Sequence, residues 1–117
     1  MASDPIKILI VDDDEDVLIE LERLLEGEGY STVTAWSGQE ALELSESSKF
    51  DLLLVDEHLG DIDVGELWEE LVRQQPHAFR FLMHSRGEGF GDGSVHTKVC
   101  KWAHADVKAK IRNCLAA

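Results

Sequence analysis

The amino-acid sequence predicts an α/β fold: a doubly wound sheet of five parallel strands with helices packed on both faces. Three observations lead there. Ile6 to Val11 and Leu52 to Val55 are short runs of aliphatic residues with no polar alternation, as expected of strands covered on both faces. Segments with helical apolar spacing alternate with such runs along the chain. The 117 residues give one domain of ordinary size, with enough core to fold without a metal or disulfide staple.

The elements follow in order. Ile6 to Val11 is the first strand. Val17, Leu18, Leu21, Leu24 and Leu25 form a helical stripe, and Gly27-Glu28-Gly29 supplies the stop. Thr32 to Ala35 is a short second strand. Ser37-Gly38-Gln39-Glu40 has capping-box spacing and opens a helix through Ala41, Leu42 and Leu44. Leu52 to Val55 is the third strand. Leu67, Trp68, Leu71 and Val72 mark the third helix, which Pro76 cannot continue. Phe81 to Met83 is the fourth strand and Val95 to Val99 the fifth. Val107, Ile111, Cys114 and Leu115 give an amphipathic terminal helix. Between Ser85 and Lys98 lie 12 residues with Gly87, Gly89, Gly91 and Gly93 among them. Each glycine costs a helix about 1 kcal/mol relative to alanine, so no regular helix is expected there.

Charge narrows the function. Eleven basic against 24 acidic residues leave −13, which argues against nucleic acid or an anionic membrane as the main partner. The acid is uneven: nine carboxylates lie between Asp12 and Glu28 against the single base Arg23, whereas five bases follow from Lys98 onward against Asp106. No apolar run can span a bilayer, and the first residues lack the pattern of a secretion signal. Cys100 and Cys114 form no framework or zinc pattern, so reduced thiols in a cytoplasmic protein are expected. His77, His96 and His104 are too scattered for a metal site, and Trp36, Trp68 and Trp102 are read as packing residues.

In parallel sheets function gathers beyond the carboxyl ends of the strands. The first strand runs into Asp12-Asp13-Asp14 and the third into Asp56. Carboxylates crowded on one rim raise one another's pKa unless a cation neutralises them, and magnesium suits a few carboxylates beside a phosphate. Asp14, Glu15 and Asp16 are explained by a helix N-terminus that favours negative charge; Asp12, Asp13 and Asp56 end buried strands and are not. The fourth strand delivers His84-Ser85 and the fifth Thr97-Lys98 to the same rim. A hydroxyl at Ser85 and an ammonium at Lys98 suit phosphoryl oxygens. The ensemble describes an aspartate that accepts a phosphoryl group, a step that needs positioning and charge neutralisation.

Ile8-Leu9-Ile10-Val11-Asp12-Asp13-Asp14 and Phe50-Asp51-Leu52-Leu53-Leu54-Val55-Asp56 resemble the receiver domain of bacterial two-component response regulators. The resemblance covers nearly the whole chain in element order, read as a single receiver domain over residues 1–117, and is strongest to about residue 75. It implies a flavodoxin-like fold of five strands and five helices, with Asp56 as phosphoacceptor. It further implies magnesium held directly by Asp13 and Asp56, by Asp12 through water, and by the backbone carbonyl of His58. Ser85 would fill the Ser/Thr position, with His84 as the alternative, and Lys98 the lysine position, with Lys101 as the alternative. A histidine kinase or phosphotransfer protein would be the donor, and output would pass to a further partner. Such a domain catalyses only its own phosphorylation and dephosphorylation.

The sequence also departs from the family pattern. Gly60 replaces the proline four residues after the acceptor, and Gly65 falls one place late, so the loop is expected to be one residue longer and more mobile. Val99 follows Lys98 where proline is usual, Val95 stands in place of the fifth-strand aromatic, and the fourth helix is short or missing. His58, two positions past the acceptor, can influence water attack on the phosphoryl group. These departures keep a second reading open, a pseudo-receiver that binds partners without regulated phosphorylation. A haloacid-dehalogenase-type phosphatase, built on Asp12-x-Asp14, leaves Asp56 unexplained.

Overall fold

The computed structural model describes residues 5–84 and 97–116. Five strands, β1 (Lys7–Val11), β2 (Ser31–Ala35), β3 (Leu52–Asp56), β4 (Phe79–His84) and β5 (Thr97–Cys100), form one parallel sheet in the order β2-β1-β3-β4-β5. Among the described residues there are four helices: α1 (Glu15–Glu26), α2 (Gly38–Ser47), α3 (Val64–Gln74) and α4 (His104–Leu115). The predicted fold class holds. Ser85, the glycine run from 87 to 93 and Val95 lie outside the described residues, and with them the expectation about a helix before β5.

The absence of polar alternation in β1 and β3 is explained by the two cores they separate. Ile8, Ile10, Leu52 and Leu54 face Val17, Leu21 and Leu25 of α1 and Val107 and Ile111 of α4. Leu9, Val11, Leu53 and Val55 face Ala41 of α2 and Leu67, Trp68 and Leu71 of α3. All four residues Leu52 to Val55 are fully buried, which at about 25 cal/mol per Å² of apolar surface makes this strand the anchor of both layers.

Local signals set the boundaries. Asp14 caps α1 by accepting from the Asp16 N–H. The chain leaves α1 through Gly29, whose φ of +93° is the left-handed conformation; Gly27 remains right-handed. Ser37 caps α2 by accepting from the Glu40 N–H, while Glu40 reaches back to the N–H of Trp36, one residue before the cap. Asp63 caps α3 and Gln75 ends it, one residue before Pro76. The buried Gln75 also ties two layers together, donating to the carbonyls of Ser45 and Ser48 and accepting from the Phe50 N–H.

Trp68 is buried as expected of a packing residue, but Trp36 and Trp102 are 64% and 51% exposed, so the packing role does not hold for them.

Candidate functional site

The rim at the carboxyl end of the sheet is built by strand register. β1 and β3 pair Val11 with Val55, so the next residues, Asp12 and Asp56, emerge side by side. The Asp12 N–H is itself held by the Ala35 carbonyl of β2. Asp12 Oδ1 accepts from the Asp14 N–H at 2.9 Å, which fixes its side chain at the entrance of α1. Ligand oxygens of Asp12, Asp13 and Asp56 all lie within 4.8 Å of one another. Asp12 and Asp56 are buried and Asp13 is exposed, so the cluster opens to solvent on the Asp13 side. Carboxylates 44 residues apart in sequence therefore do converge.

The cation beside them is Lys101. Its Nζ donates to Asp12 Oδ2 at 3.0 Å and to Asp56 Oδ1 at 3.1 Å, and its side chain is only 10% exposed. This corrects the assignment of Lys98. The fifth strand runs to Cys100, beyond the end expected at Val99, so Lys98 sits inside it opposite Leu82, with an exposed side chain. Lys101 and the neighbouring carboxylates supply charges that act on Asp12 and Asp56. Lys101 is delivered by the residue after the strand, in the way Asp12 is delivered after β1. Its backbone is anchored by an N–H bond of 2.9 Å to the His84 carbonyl at the end of β4.

His84 itself turns elsewhere. Phe81 and Met83 belong to the core beneath α1 and α4, as do Leu52 and Leu54, so alternation puts Asp56 on that face and His84 on the other. Its Nδ1 is buried without a hydrogen-bond partner among the described residues. Ser85, the preferred hydroxyl, lies outside the described residues. The His58 side chain is exposed in the loop after β3, where it lines a groove with Asp13, Glu57 and Asp63.

That loop makes a contact which the sequence did not suggest. Asp61 accepts from the N–H groups of Gly38 at 3.0 Å and Gln39 at 2.9 Å, so it supplies a second cap to α2 from 22–23 residues away. A Cβ at Gly38 would stand 2.1 Å from Ile62 Cγ2, so any larger residue there would have to displace the Ile62 side chain.

Burial is the main reason that Asp56 is pushed up to about 6, with the Asp12 charge adding to it and Lys101 opposing. Asp12 is also raised, by burial first, against the Asp14 N–H bond and Lys101. Burial alone would lower Lys101; its bonds and charge contacts to Asp12 and Asp56 outweigh this and hold it above its ordinary value. Among the described residues, one ammonium against three carboxylates leaves the cluster short of positive charge. Convergent oxygen donors, one of them open to water, fit a hard divalent cation such as Mg²⁺.

The family profile described as "Response regulator receiver domain" matches residues 8–90. The chain belongs to this family. The alkaline phosphatase synthesis transcriptional regulatory protein PhoP of Bacillus subtilis is 43% identical over 77 residues, 66% of this chain and 32% of PhoP. The transcriptional regulatory protein GlrR of Escherichia coli is 40% identical over 76 residues, 65% of this chain and 17% of GlrR. The matched part of the chain spans a third or less of these relatives' length. Among solved structures, a CheY-like receiver domain protein from Methanospirillum hungatei superposes with a TM-score of 0.86 at 26% identity, covering 97% of this chain and 95% of that one. The response regulator TrrA of Thermotoga maritima, solved in complex with Mg²⁺-BeF, gives 0.83 at 28% identity, covering 92% and 97%.

Proposed function

We propose that this receiver domain accepts a phosphoryl group on Asp56 from a histidine kinase or phosphotransfer protein, with Mg²⁺, and thereby changes its affinity for an output partner. The observation that carries the reading is the Lys101 ammonium bridging Asp12 and Asp56 at 3.0 and 3.1 Å on a rim where three carboxylates converge. In this reading an Asp56 carboxylate oxygen attacks phosphorus of a phosphohistidine. The N–P bond breaks, an acyl phosphate forms, and the departing imidazole keeps the bonding pair. Lys101, already within reach of Asp56 Oδ1, turns its positive charge to the phosphoryl oxygens. Asp12, Asp13, Asp56 and the His58 carbonyl would hold Mg²⁺, which supplies neutralisation of phosphoryl charge when bound. The sequence offers Ser85, directly after β4, as the hydroxyl donor.

With Lys101 in the lysine position, the residue three places earlier is Lys98, not Val95, and the following proline is replaced by the half-exposed Trp102. The fifth-strand aromatic is therefore replaced by an exposed lysine. The domain acts on no substrate but its own aspartate, and its setting is cytoplasmic; among the described residues no helix is long and apolar enough to cross a membrane.

Incubation with a small phosphodonor and Mg²⁺ followed by intact mass tests the reading. One phosphoryl adduct, absent in Asp56→Ala, is expected. A natively folded protein with no adduct overturns it in favour of a protein-binding module.

A further inference from the structure

Among the described residues the large hydrophobic side chains left exposed are Ile19, Trp36 and Trp102. Two of them, Ile19 at 38% and Trp36 at 64% exposure, line one groove of about 280 Å³ where α1 passes the β2 edge of the sheet. Leu18 is the other apolar residue of the lining, and Glu15, Glu22 and Glu40 surround it with no base among them. The groove lies away from α4, whose His104 meets α1 at Glu20 instead.

The backbone of Trp36 is fixed while its side chain stays open to solvent. Its N–H donates to Glu40 Oε1 at 2.8 Å, and the next three residues are fixed by the Ser37 cap and by Asp61. An exposed indole on a pinned backbone loses little freedom when a partner covers it, and tryptophan is among the commonest energetic anchors of interfaces.

We propose that this groove docks a basic amphipathic helix of a partner protein, its apolar residues on Ile19 and Trp36 and its lysines or arginines against Glu15 and Glu22. Charge selects that occupant. The stretch from Asp12 to Glu28 carries nine carboxylates against one base, so an acidic or neutral face is disfavoured here. A second copy of the chain brings −13 of its own, and two of the three bases on its α4 are already engaged, Lys110 with Asp106 and Arg112 with Glu28. A groove of this volume takes the one or two anchoring side chains that a helix presents at i and i+3 or i+4. The inference stands whether or not Asp56 accepts a phosphoryl group.

The test is fluorescence anisotropy with a labelled lysine–leucine amphipathic peptide at about 0.15 M salt, where exposed long-range attraction is screened within about 8 Å. Saturable binding is expected, weakened about tenfold or more by Trp36→Ser in a protein whose circular dichroism is unchanged. Ile19→Ser gives the same readout should Trp36→Ser misfold, and Glu15→Gln with Glu22→Gln flattens the salt dependence. Equal binding by Trp36→Ser, or by a scrambled peptide of the same composition without an apolar face, overturns the proposal. So does a wild-type dimer in sedimentation that Trp36→Ser abolishes, which would assign the groove to a second copy.

Discussion

Asp56 and Asp61 lie five residues apart on the same rim, yet their surroundings drive them in opposite directions. Asp56 ends a buried strand beside Asp12, and loss of water together with that neighbouring charge lifts it to about 6. Asp61 is exposed; slight burial pushes it up, but the Gln39 and Gly38 N–H groups outweigh this and hold it below its ordinary value. One carboxylate is held in a state poised to gain a counter-charge, the other is already satisfied by backbone dipoles. Two aspartates within six residues are thus driven apart by solvation rather than by residue type.

Removing Lys101 breaks the comparison most severely. Lys101→Ala leaves Asp12 and Asp56 buried without the ammonium that bridges them, and a loss on the order of 3–5 kcal/mol is expected in urea unfolding without added metal. Lys98→Ala, at an exposed position, should change stability by less than about 0.5 kcal/mol.

The pH dependence of Asp56 ranks next. Its folded value of about 6 lies above the ordinary 3.8, so the native state binds the extra proton and the ionised form is penalised. Asp56→Asn should therefore gain on wild type as pH rises from about 4 to about 6, by on the order of 2–3 kcal/mol, and the gap should stay level above that. A gap that is constant from pH 4 to 7 in denaturation curves would refute the burial argument.

Magnesium should close the same gap from the other side. At a hundredfold excess over its dissociation constant it should stabilise the wild type by about 2.7 kcal/mol, and Asp13→Asn should remove most of that gain in thermal melts.

Asp61 gives the smallest effect. Asp61→Ala removes a helix cap and should cost about 1 kcal/mol, whereas Asp61→Asn keeps an acceptor and should cost less. Because its folded pKa is lowered, this contribution is present above the unfolded value and fades as pH falls through the folded one. A difference between wild type and Asp61→Ala that persists unchanged well below pH 3.8 would argue against it.

The two strand ends that carry acid were legible because β1 and β3 are apolar on both faces and stop abruptly at Asp12 and Asp56. The fifth strand was not, since Thr97-Lys98-Val99-Cys100 has one buried residue and no apolar run to mark where it ends. A usable signal was present: Lys101 directly precedes the Trp102-Ala103 turn into α4, as Asp12 precedes the entry to α1. The Asp61 contact could not be read at all, because a cap supplied across 22–23 residues leaves no local spacing pattern. The exposure of Trp36 and Trp102 was equally hidden, since bulk and apolarity do not reveal that a residue lies one or two places beyond the end of a strand.

The bonds from Gly38 and Gln39 to Asp61 have a practical consequence. These two amides are spectroscopic sentinels for the segment that follows Asp56, because a displacement that carries Asp61 away releases them. Their nitrogen-15 resonances would register the change at a distance, with no label or probe placed at the rim itself.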